Sequence, residues 1–455
     1  MHKIILFFVL ITGFSFSQEE VSYASVDSAT YEDFMKSDFK AVRKTKRKAN
    51  KEKIDFYYLR MRLGILSYGK EKYEYAIMQF EKAYEMNPAD TVLQEYLYYA
   101  YLFSGRKDEA NVLAESLTAS FQAKIGGVQK KKIDNFLVGF INFSNTNIED
   151  SKTRNLLDPN FKRGEATYNG NTLGVHLALE NHLNTRTILY NKLSLFQTNT
   201  MGVQQFSEMP ATQFSAAAPA SLKQVNYKNL QYQYNAGLSR LTKKKYQLTV
   251  GFGFYKTTVN ELLAMPKMGG MGMPPTGLRY ENEEIRFNNF SSSLMLGKRF
   301  AYFTPTISFS YSNLYDTRQL QTEGSLTYYP FGNSKIYGVS SFSYNNNDGA
   351  DQTVFSQKIG FKVTKWLWMD GLYSIGNHSN YLSDVGFTIY NTADPVLSNL
   401  NLNVHFYMRK FELTVGASTQ LRQGAFNQYS TATEFKTFNY NYTNTNFLTT
   451  FKWNF

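Results

Sequence analysis

The sequence predicts an all-β transmembrane antiparallel barrel of about 14 strands, preceded by a small all-α module. Three observations predict it. An export signal is followed by no apolar run long enough for a membrane helix, aromatic residues are abundant in segments that alternate apolar and polar, and chain reversals alternate between short and long.

The signal comes first. Lys3 precedes a mostly apolar stretch from Ile4 to Phe14, and the small residues Ser15 and Ser17 take the minus-three and minus-one positions of a cut before Gln18, so residues 1–17 are expected to be removed. No cysteine follows, which excludes a lipoprotein signal and any disulfide framework. Stability must come from burial or from a membrane. Aromatics form 16% of the chain, with 34 Tyr and 37 Phe, while mean hydropathy is −0.40. Alternating strands hide their apolar faces from such an average. The net charge of +12 would point to nucleic acid in a cytoplasmic protein, but the export signal overrides that reading, and no nucleic-acid partner is expected.

Residues 18–53 carry part of the positive charge. The run from Arg43 to Lys53 ends a helix-like stretch, Tyr31–Lys53, expected to pack on the module that follows. Arg43, Lys44, Lys46, Arg47 and Lys48 are candidates for docking an acidic partner or anionic lipid; the plainer alternative is a solvated helix face.

Residues 54–126 show helical periodicity and an internal repeat. Leu63, Gly64, Tyr73, Ala76, Phe80, Ala83 and Pro88 are followed by Leu97, Tyr101, Gly105, Ala110, Ala114 and Leu117, with Ala76 and Ala110 one period of 34 residues apart. The pattern resembles the tetratricopeptide repeat. It departs at Arg60 and Ser67 in the first copy, and at Tyr98 and Ala114 in the second. The resemblance implies a surface that binds periplasmic envelope proteins and holds no chemistry of its own.

From residue 132 to 455 the period changes to two. In Leu173–Glu180, Leu173, Val175, Leu177 and Leu179 share one face, and Gly174, His176, Ala178 and Glu180 the other. A soluble sandwich would pack the apolar face on a second sheet; a barrel turns it to lipid. Strands are expected near 133–143, 171–181, 186–198, 226–239, 244–257, 282–296, 300–312, 318–329, 335–345, 352–363, 365–376, 398–408, 411–421 and 443–455. Val385–Tyr390 is open as part of a further pair, which would make 16. Short basic reversals alternate with long polar loops, roughly 144–170, 199–224, 258–281, 377–397 and 422–442. Trp366, Trp368, Tyr328, Tyr329 and Trp453 are candidates for interfacial girdles. The chain ends on Phe451, Trp453 and Phe455, which resembles the C-terminal signal read by the barrel-assembly machinery of Gram-negative bacteria. That resemblance implies the assembly machinery as a partner and the outer membrane as the location, with the module in the periplasm. The Tyr-, Phe- and Asn-rich strands resemble those of the Bacteroidota.

Chemistry is sparse. His176, His405 and Glu180 fall on the expected lumen face, no catalytic or cofactor-binding constellation follows from spacing, and a non-enzymatic protein without cofactor or bound metal is expected. Met265, Met268, Met271 and Met273 lie in one uncharged loop. Thioethers suit Cu(I), but an adaptable apolar contact surface is the expectation. The loop Met209–Leu222 is also nearly uncharged, and such loops are expected to be covered, by the lumen as a plug or by surface proteins. The function expected from these elements is a membrane anchor that scaffolds an envelope complex; the alternative is a porin or substrate channel.

Overall fold

The computed structural model describes residues 21–125, 133–145, 148, 163–206, 221–242, 244–266, 278–391, 394–430 and 434–455. The signal, most of the loop Met209–Leu222, and Met268, Met271 and Met273 lie outside the described residues. The chain divides into two compact units, one up to Leu113 and one from Ala114 on.

The first unit is helical: α1 Tyr23–Met35, α2 Phe39–Lys51, α3 Tyr57–Gly69, α4 Tyr73–Met86, α5 Thr91–Phe103 and most of α6 Lys107–Glu115. A short α7, Ala119–Lys124, belongs to the second unit. The single stretch expected over Tyr31–Lys53 is two helices. Ser37 takes a left-handed conformation (φ 54°), and the Asp38 carboxylate caps α2 by accepting from the Lys40 and Ala41 N–H groups. The pair does pack as expected: Val26, Val42 and Ala49 form a core with Phe56, Leu59 and Leu63. Small residues permit close approach between α3 and α4. A Cβ on Gly64 would stand 2.3 Å from the Phe80 ring, and Ala76 and Ala83 are fully buried. Asp90 caps α5 through the Val92 and Leu93 N–H groups and also accepts from the Tyr57 hydroxyl at 2.5 Å. These bonds hold the Asp90 carboxyl below its ordinary range.

The second unit is a closed antiparallel barrel. Its wall strands are β1 Asn135–Asn145, β2 Arg163–Asn184, β3 Thr187–Phe206, β4 Ser221–Leu241, β5 Tyr246–Pro266, β6 Leu278–Lys298, β7 Phe303–Ser312, β8 Gln319–Tyr328, β9 Ile336–Asn347, β10 Ala350–Lys362 and β11 Leu367–Gly376, with β14 Val396–Met408, β15 Phe411–Tyr429 and β16 Phe435–Asn454. Neighbours in sequence are neighbours in the wall, and β1 pairs with β16 to close it over 14 strands. The final N–H, of Phe455, donates to the Asp134 carbonyl at 3.0 Å. Closure leaves no strand edge in the bilayer, the condition for a sheet to cross it. The outward face is apolar and exposed, as at Phe254 (61%), Leu402 (57%) and Phe447 (60%).

Three expectations need correction. The short strands β12 Tyr381–Ser383 and β13 Thr388–Tyr390 pair only with each other, so Val385–Tyr390 adds nothing to the wall. Trp368 is not an outer girdle residue: it shares the inward face with Asp370, and the Lys362 ammonium lies 5.6 Å from its ring centre. The long loops are also shorter than expected, because β2 to β6, β15 and β16 run for 19 to 22 residues while the other wall strands have 10 to 13. About 9–11 residues suffice to cross a bilayer. The long strands therefore continue as a tall wall on one side of the far mouth, the mouth opposite the wall's own ends, Asn135 and Asn454. Above the point where β14 stops, the freed edge of β15 pairs with β2, Phe426 to Tyr429 against Ala166 to Arg163. Glu165 ties that seam, accepting from the Tyr429 hydroxyl and from Gln204 and Asn427.

Candidate functional site

The site is the lumen, and the segment between β11 and β14 fills its centre. Gly376 (φ 129°) makes the inward turn, where a Cβ would meet the Thr353 carbonyl oxygen at 2.0 Å. His378, 1% exposed, staples the base: Nδ1 lies 2.9 and 2.8 Å from the Gly376 and Val396 carbonyls, and Nε2 lies 3.0 Å from Ser374 Oγ. Two carbonyls at Nδ1 fix its proton there, leaving Nε2 to accept from the serine.

Beyond the base, this plug is bound by wall groups from most of the barrel. The Tyr381 hydroxyl donates to Glu323 Oε2 (2.7 Å), and Gln321 makes two bonds to the Leu382 main chain (3.0 and 2.6 Å). Asn235 Nδ2 donates to the Gly386 carbonyl (2.8 Å), and Lys192 Nζ to the Phe387 carbonyl (2.8 Å). Asp394 Oδ2 accepts from Tyr442 and Asn169, each at 2.7 Å. Two wall glycines make room for the tip. A Cβ at Gly251 would stand 2.4 Å from the Val385 carbonyl oxygen, and one at Gly237 would stand 2.8 Å from the Phe387 ring. At the tip, Asp384, Val385 and Gly386 are consecutive left-handed residues (φ 54°, 55° and 87°). For a β-branched valine that is strain, about 1–3 kcal/mol.

The inward wall is polar around the plug, and several amide oxygens are buried without a partner among the described residues: Oδ1 of Asn399, Asn401, Asn403, Asn444 and Asn446. Such atoms require water. Toward the mouth where the wall begins and ends, at Asn135 and Asn454, five strands carry alternating charge. Lys358 Nζ lies 3.4 Å from Asp370, His405 Nε2 lies 2.6 Å from Asp370, His405 Nδ1 lies 3.4 Å from Glu412, and Lys452 Nζ lies 3.8 Å from Glu412. Thr414 Oγ1 is 2.9 Å from His405 Nδ1, so the structure assembles a hydroxyl–imidazole–carboxylate relay that spacing alone did not reveal. Thr414 lies within the ladders of β14 and β15, whose amides are committed to one another, so no pair of free N–H groups is available there for an oxyanion. His176 lies over Gly139 on the lumen face, and Glu180 accepts from Asn135 (2.7 Å).

The other described sequence candidates take the following places. Arg43 stacks on the rings of Phe39 and Tyr75 (5.5 and 5.7 Å), and Lys46 is half-buried, its ammonium pushed down to about 8 by burial with Arg60 adding to it. Lys44, Arg47 and Lys48 are exposed. Met265 is the penultimate residue of β5, opposite Arg279. Phe451 and Trp453 point outward, and the Phe411 ring lies against Trp453 (4.1 Å). Among the described residues no group of three or more His, Cys, Asp or Glu side chains is placed to hold a metal.

Neither a protein-family model nor a curated protein sequence matches the chain. Solved structures do. A Pseudomonas aeruginosa FadL homologue matches at 10% identity over 71% of this chain and 90% of that one, with a TM-score of 0.42. A Pseudomonas putida toluene transporter, TodX, matches at 9% identity over 76% and 94%, with a TM-score of 0.44. A Ralstonia pickettii toluene transporter, TbuX, matches at 10% over 71% and 90%, with a TM-score of 0.34. At such identities and scores the likenesses say nothing of this chain's solute.

Proposed function

We propose that the protein is a non-enzymatic, gated channel of the outer membrane, closed at rest by a plug described at Asn377–Asn391, Asp394 and Pro395. The observation that supports it is the way the plug is fastened. Wall side chains hold its main chain at Leu382, Gly386 and Phe387, and water can replace each of these bonds in a hydrated lumen. Its apolar anchorage rests on a few side chains: Leu382 and Ile389 against Tyr255 and Leu314, and the Phe387 ring against Tyr190. A strained tip lowers the cost of leaving. This reading follows the channel alternative rather than the scaffold first expected. The scaffold reading keeps one support, the close-packed helices α3 to α5, and recruitment of periplasmic proteins by that module stands as a separate proposal.

The test is excision. Replacing Ser379–Asn391 by a short Gly-Ser linker should raise sugar entry into proteoliposomes at least about tenfold over wild type, because the wall alone keeps the barrel closed. An unchanged rate would end the channel reading.

A second expectation concerns assembly. We propose that Phe455, Trp453 and Phe451 are read during insertion. Deleting Phe455 should reduce the folded, heat-modifiable form in the outer membrane several-fold; unchanged levels would place recognition elsewhere.

A further inference from the structure

The outer wall carries an apolar cleft where β7 and β8 reach the mouth at which the wall begins and ends. On β8, Gln321 and Glu323 turn inward to bond the plug, so Gly324, Leu326 and Tyr328 face outward. Their partners on β7, Ile307, Pro305 and Phe303, share that face. Phe303, Leu326 and Tyr328 line a cleft of about 510 Å³ with Tyr302, Tyr329 and Pro330 from the two adjoining reversals. The reversals are tied together. The Tyr329 N–H donates to the Tyr302 carbonyl at 2.8 Å, and the Phe300 N–H to the Phe303 carbonyl at 2.9 Å. Further along the strands a Cβ at Gly324 would meet nothing within 4 Å, so the outer wall stays low beside Ile307, in line with the cleft.

Two cations stand beside the opening. Lys298 ends β6 on the same outward face as Leu294 and Leu296. Its ammonium lies 4.5 Å from the Tyr246 ring centre and 5.5 Å from that of Phe300. The Phe300 ring stacks on Phe303 at 4.9 Å, which sets Lys298 one ring away from the cleft. No carboxylate lies within 4.0 Å of this ammonium among the described residues, and its hydroxyl partner, Tyr246, is at 3.5 Å. Arg299, the next residue, holds its guanidinium 5.0 Å from the centre of the Tyr329 ring, itself part of the cleft. Aromatic rings of this kind mark the level of the membrane interface, where lipid phosphates lie.

We propose that the cleft is a site on the outer wall for one anionic glycerophospholipid, its acyl chain in the cleft and its phosphate on Lys298 and Arg299. The chain covers apolar surface that the strands leave open, and the phosphate gives the two cations an opposing charge. A headgroup with its own ammonium would bring a third positive charge to the same place, so a net negative lipid is preferred. The site requires the barrel to lie in a bilayer and does not depend on movement of the plug.

The test is native mass spectrometry of the full chain, extracted from liposomes of equimolar phosphatidylglycerol and phosphatidylethanolamine with identical acyl chains. Wild type should retain one phosphatidylglycerol, preferred about fivefold over phosphatidylethanolamine. Lys298→Gln should weaken that retention about fivefold, and Lys298→Gln with Arg299→Gln at least about tenfold, while Lys298→Arg keeps it. Leu326→Trp fills the cleft and should lose the lipid although both cations remain. Arg409→Gln with Lys410→Gln removes two cations from another reversal at the same mouth and should change nothing. Free glycerol phosphate in large excess should not displace the lipid, because it lacks the chain. Equal retention of the two lipids, retention indifferent to the Lys298 and Arg299 variants or to Leu326→Trp, or displacement by glycerol phosphate overturns the proposal. Heat-modifiability confirms that each variant is folded. Lipid retention reads the outer wall and not the lumen, so its failure leaves the channel reading standing, and the reverse also holds.

Discussion

Gly251→Val should open the channel without any deletion. The new Cβ falls 2.4 Å from the Val385 carbonyl oxygen, a main-chain atom in the plug's tip that no rotamer change can move aside. The wall cannot yield either, because Gly251 sits in a ladder paired on both sides, with Gly237 and Ser293. The tip must therefore lift. Lifting breaks the Asn235 and Lys192 bonds to Gly386 and Phe387, and releases the strain of Asp384 and Val385. Solute passage should approach that of the excised protein, at least about tenfold above wild type, if each lost bond is worth about 1 kcal/mol. Gly324→Val is the control: its Cβ meets nothing within 4 Å, and passage should not change. Equal leak in both variants would show that the tip does not limit passage.

The second large effect lies in the helical unit. Arg106 and Glu74 are an ion pair at 3.2 Å with side chains 2% and 0% exposed, and Arg106 also holds Glu109 by two bonds. Arg106→Ala removes the cation that faces the buried carboxylates of Glu74 and Glu109, at a cost of about 3–5 kcal/mol. Limited proteolysis should then cut within α4 and α5 under conditions that leave wild type intact, with the barrel's heat-modifiable band unchanged. Adding Glu74→Leu and Glu109→Gln to Arg106→Leu should restore much of the resistance, because neither carboxylate is then left buried without its cation. A combined variant as labile as the single one would mean that the cluster stabilises by packing rather than by charge.

Much of this fold was legible in the sequence because the membrane imposes a pattern. Leu173, Val175, Leu177 and Leu179 had to share a face to meet lipid, and each of the 14 expected strands overlaps one wall strand. The far halves of the long strands were not legible. In Arg163–Thr172 or Phe435–Tyr442 neither face has to be apolar once the strand has left the bilayer, so hydropathy there resembles a loop. The plug was hidden for a different reason. Asn377–Pro395 is polar, and its burial comes from Lys192, Asn235, Gln321 and Tyr442, all far from it in the chain. The sequence drew attention instead to uncharged loops, on the expectation that a plug would be apolar. A plug in a polar lumen has no such need. His405 was placed on the lumen face by alternation alone, but its partners Asp370 and Glu412 required the registers of β11 and β15.

The central claim is that the plug is the gate, and a reversible tether tests it most directly. The chain has no cysteine, so Gly386→Cys with Ser293→Cys gives a single pair. A Cβ at position 386 would lie 3.5 Å from Ser293 Oγ, within reach of a disulfide. The left-handed backbone at position 386 adds strain of about 1–2 kcal/mol, which a formed bond outweighs. Proteoliposomes carrying the oxidised pair should admit no solute, and reduction should restore wild-type passage within the same sample. Passage that is equal before and after reduction, with the disulfide verified by mass spectrometry, would contradict the gate.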